Sequence, residues 1–200
     1  MKKIYFDDTT FIWKTKLNFL EYKNDMLNEW LKIEEKNQYN PKNDNYNYEF
    51  TKNKNKLDDI VNLSIDKCKE LYTKKFNNVL LGSWVNVIRA KEPKQPGLSE
   101  GIVKMHQHDI ISKIHGFFIP DYTFVYYIQM PDNLINDDGV LFIEGENKKM
   151  FNILPEEDDL IIMVGDLPHG PNVALNSTKD RIVLAGNIGF EYNKGNKTLL

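Results

Sequence analysis

Three of the four histidines in this 200-residue chain stand in one short stretch, KMHQHDIISKIHG at residues 104–116, and the fourth, His169, follows in GDLPHGPN. His106 and His108 are separated by one residue, so on a β-strand both imidazoles point to the same face. Adjacent imidazoles form either a satisfied polar pair or a metal site, and with His169 they make a candidate set of three ligands. Three protein ligands leave positions open on a metal for substrate or oxygen. Neutral imidazole suits iron, zinc, copper or nickel, so ligand type alone does not choose the ion. On a regular strand Asp109 faces away from the pair, and only the twist of a strand end brings it in as a further ligand. His115, next to Gly116, reads as a turn or loop position.

The arginines are the second signal. Lysine is abundant and supplies charge everywhere, whereas the only arginines are Arg89 and Arg181. Arginine offers a planar fork of donors matched to a carboxylate. Arg181 opens the apolar run RIVLAGNIGF, where an inward guanidinium requires an anion. That anion is either a ligand carboxylate or a local aspartate such as Asp180 or Asp166.

Composition bounds the rest. A chain with 41% hydrophobic and 28% charged residues is an ordinary globular one, expected to be a single domain able to bury a core. A net charge of -3 argues against a broad basic surface for duplex nucleic acid. The lone cysteine, Cys68, excludes an internal disulfide and thiolate zinc sites, and its place in an apolar stripe makes it a core residue. The N-terminus MKKIYFDDTTFIW lacks the apolar run of a signal peptide, and no stretch is long and apolar enough to span a bilayer. These features predict a soluble, cytoplasmic protein.

The positioning elements change type near residue 79. Before it, a short strand precedes two helical patterns: Leu20, Leu27, Trp30, Leu31 and Ile33, then Leu57, Ile60, Val61, Ile65, Cys68, Leu71 and Tyr72. Between them lies a polar, Asn- and Lys-rich segment, 37–56, expected as a surface loop with exposed tyrosines in DNYNYEF. From 79 onward VLLGSWVNVIRA, the histidine segment, YTFVYYIQM, GVLFIEG, DLIIMVGD and RIVLAGNIGF read as short strands with turn signals between them. That spacing predicts an antiparallel sandwich or barrel, a mainly β fold with N-terminal helices.

From Trp84 to Phe190 the ordered pieces HQHD, YTFVYYIQMP, GVLFIEGE, LPEEDDLIIMVGDLPHGP and RIVLAGNI resemble the iron- and 2-oxoglutarate-dependent oxygenases. The resemblance is to the short prolyl-hydroxylase-like members found in phage and bacterial genomes. It implies a double-stranded β-helix (jelly-roll) core over 79–192, with 1–78 as an N-terminal elaboration. It further implies Fe(II) and 2-oxoglutarate as cofactors, O2 as co-substrate, and hydroxylation of a C–H bond with release of succinate and CO2. His106 and His169 are similar to the family's two iron-binding histidines, and Arg181 to the arginine that holds the far carboxylate of 2-oxoglutarate. Tyr127, or Tyr126 if the register slips by one, is similar to the tyrosine that bonds the same carboxylate.

The family's usual His-x-Asp is replaced here by His106-x-His108. The third ligand is then His108, Asp109 or Asp121. A cupin-like three-histidine metalloenzyme that uses no 2-oxoglutarate is the alternative, although it gives Arg181 no role and lacks the expected glutamate at Ile111, Ser112 or Lys113. A non-catalytic jelly-roll binding module is the third reading. The substrate is not legible: a peptide side chain, a nucleotide and a small metabolite all stay open.

Overall fold

Alternating and unbroken apolar runs decide the architecture. In a computed structural model of the chain, the described residues are 1–37, 45–51, 54–90, 105–108, 111–113, 116–118, 120–174 and 176–191. The elements are β1 (Lys2–Tyr5), β2 (Phe11–Lys16), α1 (Lys23–Asn37), β3 (Asn45–Asn47), α2 (Lys56–Leu71), β4 (Asn78–Ile88), β5 (Ile111–Lys113) and β6 (Gly116–Phe118). There follow β7 (Tyr122–Gln129), β8 (Leu141–Glu144), β9 (Met150–Ile153), β10 (Asp159–Val164), β11 (His169–Pro171) and β12 (Arg181–Glu191). A seven-stranded sheet in the order β1-β2-β10-β7-β12-β4-β3 faces a three-stranded sheet, β11-β8-β9, and β5 pairs with β6. The fold is the expected one: mainly β, antiparallel and jelly-roll in type, with N-terminal helices.

The large sheet is buried on both faces, and its strands alternate between two apolar cores. Phe124, Tyr126 and Ile128 of β7 join Ile182, Leu184 and Ile188 of β12 against Trp30 of α1 and Leu57, Ile60, Val61 and Cys68 of α2. The intervening Val125, Tyr127, Val183 and Ala185 face Leu141 and Ile143 of the small sheet. Each of these large side chains contributes roughly 1.5–3 kcal/mol by leaving water. Helix α2 starts at Asn55, whose side chain accepts from Asp58 N at 3.0 Å, and presents its apolar stripe to the sheet. Cys68 is fully buried there, as expected.

Two expectations fail. Within 37–56, β3 pairs with β4, and Tyr46 and Tyr48 are buried rather than exposed. The Y-N-Y alternation turns both rings to one side: Tyr46 packs edge-on to Trp30 at 4.8 Å, and Tyr48 Oη donates to Asp58 Oδ1 at 2.6 Å. His106, moreover, does not lie in a regular strand. It forms an isolated antiparallel bridge with His169, through His106 N to His169 O at 2.9 Å and His169 N to His106 O at 2.8 Å.

Candidate functional site

The short bridge suffices to bring the histidines together. Pairing with β11 fixes His106, and His108 N donates to Gly165 O at 3.3 Å, which draws the next turn of chain over the end of β10. Gly165 in turn lets the chain at Pro120 pack against it, since a Cβ there would stand 2.2 Å from Pro120 O. One ligand atom from each of His106, His108 and His169 lies within 4.8 Å of the others. The ring centroids are 4.6 Å apart for His106 and His169, 5.0 Å for His106 and His108, and 5.3 Å for His108 and His169.

His169 is 3% exposed. Its Nδ1 lies 2.8 Å from Leu167 O, and a carbonyl only accepts, so Nδ1 carries the proton and Nε2 keeps its lone pair. Burial, followed by the neighbouring His106, pushes this imidazole down to about 3, against the pull of the Leu167 carbonyl. It is therefore neutral, the state a metal ligand needs.

The cluster opens on a cavity of about 440 Å³ between the two sheets. Residues of β12 facing it are Arg181, Val183, Ala185 and Asn187, every second position of the strand. Trp84 and Asn86 of β4, Thr123 and Val125 of β7, and Leu141 of β8 complete much of the wall. The Trp84 ring lies 5.6 Å from that of His108.

Arg181 is 4% exposed, and no carboxylate pairs with it among the described residues. Its Nη1 donates to Asn86 Oδ1 at 3.0 Å, its guanidinium lies 5.1 Å from the centre of the Tyr127 ring, and its Nε has no partner among the described residues. The local aspartates do not supply the anion. Asp180 bonds Arg89 Nη1 at 2.8 Å and Ala90 N at 2.9 Å, while Asp166 is exposed.

The buried Tyr127 hydroxyl likewise has no hydrogen-bond partner among the described residues. Burial raises its pKa, with the Arg181 charge acting the other way. A bulge between Ile182 and Val183 in the β12–β7 ladder pairs Val183 with Tyr127 and sets that ring toward Arg181.

Other candidates stand apart. Tyr126 points to the helical side and donates to Asp158 Oδ1 at 2.9 Å, which corrects the alternative register in which it would meet the ligand. Asp121 Oδ2 accepts from Phe190 N at 2.7 Å, a structural bond away from the cavity. Asp109 and His115 lie outside the described residues. Sequence reasoning missed Asn86, which holds the Arg181 guanidinium, and Asn187 and Thr123 at the opposite end of the cavity. In a chain so rich in asparagine, only the inward phase of β4 and β12 could have marked the two asparagines.

No known family's sequence pattern matches the chain, and no curated protein sequence matches it. Solved structures do. A Pseudomonas putida prolyl-4-hydroxylase superposes with a TM-score of 0.61 at 10% identity over 90% of this chain and 92% of that one. HygX from Streptomyces hygroscopicus, with nickel and 2-oxoglutarate bound, gives 0.60 at 11% identity over 92% and 85%. A Trichoplax adhaerens prolyl hydroxylase, in complex with a hypoxia inducible factor peptide fragment, gives 0.56 at 15% identity over 90% and 83%. The likeness is one of fold, along nearly the whole of each chain.

Proposed function

We propose that the chain is an iron(II)- and 2-oxoglutarate-dependent dioxygenase that hydroxylates an unactivated C–H bond of its substrate. One observation carries this reading: three converging imidazoles share a cavity with a buried arginine that has no carboxylate partner among the described residues. The residues fit both groups. Neutral imidazole nitrogens suit iron(II), and Arg181 Nε and Tyr127 Oη are orphaned donors that a carboxylate would satisfy.

In this reading His106, His108 and His169 hold the metal, with His108 in place of the usual carboxylate. The Leu167 carbonyl keeps the His169 proton on Nδ1, so Nε2 stays free to ligate. Arg181, oriented by Asn86, and Tyr127 take the far carboxylate of 2-oxoglutarate. Val183, Val125 and Leu141 exclude water from the space between. Bound iron and 2-oxoglutarate supply O2 activation, with 2-oxoglutarate leaving as succinate and CO2.

HygX has also been solved with hygromycin B bound, and the Trichoplax enzyme with a peptide. A small molecule and a peptide are thus both bound by proteins of this fold, in keeping with a small metabolite or a peptide side chain as the substrate here. No helix among the described residues is long and apolar enough to cross a membrane.

Anaerobic titration with iron(II) and 2-oxoglutarate tests the reading through the weak visible charge-transfer band of the chelate. The wild type should give the band, and Arg181→Ala should need roughly tenfold or more 2-oxoglutarate, the value of a charged hydrogen bond. Iron binding without a band would favour the 2-oxoglutarate-independent three-histidine enzyme, to which the His108 position also conforms. Failure to bind iron would make the cluster structural. Asp109→Ala should keep iron, and His108→Ala should lose most of it.

A further inference from the structure

We propose that Asn187 is a specificity-determining residue whose side-chain amide receives a neutral carbonyl oxygen of the primary substrate, beyond the histidine cluster from Arg181. The proposal rests on the reading of Arg181 as the 2-oxoglutarate anchor.

The register of the large sheet divides the cavity into levels. Val183 pairs with Asn86 and Tyr127, Ala185 with Trp84 and Val125, and Asn187 with Gly82 and Thr123. Since Trp84 touches His108, the histidines sit near the Ala185 level, with Arg181 four residues before it and Asn187 two after. Bonded to Asn86 and beside Tyr127, the Arg181 guanidinium reaches the Val183 level, four strand positions or roughly 13 Å along β12 from Asn187. An extended five-carbon dicarboxylate reaches only about 7 Å at ordinary bond lengths. A dicarboxylate that spans from the Arg181 guanidinium to the histidines ends near the Ala185 level, short of Asn187, and leaves that end of the cavity for a second molecule.

What it would bind follows from its bonding. Asn187 is fully buried, and its Oδ1 accepts from Thr123 Oγ1 at 2.7 Å. With Oδ1 engaged in that bond, Nδ2 has no partner among the described residues. A buried N–H without an acceptor is rare in a folded protein, and a ligand acceptor in the cavity would complete it. Gly82, opposite on β4, carries no side chain that could take up this N–H. No lysine or arginine among the described residues lines this end. A neutral carbonyl matches a lone N–H donor there, whereas a carboxylate would be buried without a counter-charge.

The test uses the zinc-loaded, diamagnetic protein, labelled with 15N, and two probes of one shape: cyclopentanone and methylenecyclopentane. The side-chain NH2 resonances of Asn187 are assigned by triple-resonance spectra of the 13C,15N-labelled wild type and checked by their loss in Asn187→Leu. Cyclopentanone should shift them saturably and methylenecyclopentane should not. Asn187→Leu should weaken cyclopentanone roughly three- to tenfold, the range for one neutral hydrogen bond. Thr123→Val, which unlocks the amide, should also weaken it, and the wild-type signal decides the matter if a variant fails to fold.

No shift with cyclopentanone, or equal shifts with both probes, overturns the proposal. Titration of 2-oxoglutarate in parallel reports the Arg181 end separately. If it binds while the ketone leaves Asn187 unmoved, this inference falls and the oxygenase reading stands. If the ketone shifts Asn187 but 2-oxoglutarate does not bind, the carbonyl subsite stands and the oxygenase reading falls.

Discussion

Tyr126 and Tyr127 are adjacent in sequence and opposite in consequence. The Tyr126 hydroxyl is bonded to Asp158, whose carboxylate also accepts from Asn18 N and Phe19 N at 2.8 Å. Tyr126→Phe leaves that buried carboxylate short of a donor and should lower stability by about 1–3 kcal/mol, without changing 2-oxoglutarate affinity. The Tyr127 hydroxyl is buried beside Arg181 with no partner among the described residues. Tyr127→Phe should therefore leave stability unchanged or slightly raised, and weaken 2-oxoglutarate roughly three- to tenfold. Denaturant unfolding and calorimetric titration of the pair separate the roles. A destabilised Tyr127→Phe with normal affinity would make that hydroxyl structural. From the sequence the choice between these tyrosines was open, because the bulge that sets the phase of β7 depends on its partner β12 and leaves no mark in YTFVYYIQM.

At the scale of elements, the strands whose apolar pattern is local were legible: β4, β7, β8, β10 and β12 all lie where the sequence places them. Elements that depend on distant partners were not. β3 exists because Tyr46 and Tyr48 find Trp30 and Asp58, and the His106 bridge exists because His169 lies across from it. Asp58 ties β3 and its flank to α2, accepting from Tyr48 Oη, Thr51 N and Oγ1, and Lys54 N. Burial pushes its pKa up, but these hydrogen bonds outweigh it and hold the carboxyl below the ordinary 3.8.

A folded-state pKa below the unfolded one stabilises the protein above the unfolded value, and that contribution is lost as pH falls through the folded value. Asp58→Asn should thus destabilise by about 1–3 kcal/mol near neutrality, and the difference should shrink below pH 3.8. A difference independent of pH would exclude the charge as its cause. Gly165 links β10 to the site in the same way. Gly165→Ala must displace the Pro120 carbonyl, should lower stability by about 1–3 kcal/mol, and should weaken metal binding by disturbing the His108 bond to Gly165 O.

Across the whole molecule, the site joins residues far apart in the chain. His106 and His108 precede β5, Tyr127 is on β7, His169 on β11, and Arg181 on β12. The unfolded chain cannot present them together, so whatever binds the assembled cluster binds the folded state alone and stabilises it by mass action. The histidine spacing and the rarity of arginine were enough to nominate these residues. Their convergence, and the absence of a carboxylate on Arg181 among the described residues, are properties of the closed sandwich. Divalent metal at about a hundredfold over its Kd should then add about 2.7 kcal/mol. For a domain of this size that corresponds to a Tm rise of roughly 5–10 °C. Anaerobic iron(II), or zinc, should give this rise in thermal unfolding, and a chelator should reverse it. His169→Ala should show none of it, since the remaining two imidazoles lose the buried ligand that anchors the set. 2-Oxoglutarate should raise Tm further in the metal-loaded wild type and much less in Arg181→Ala. A Tm indifferent to metal in the wild type would mean that the three imidazoles hold each other and no ion.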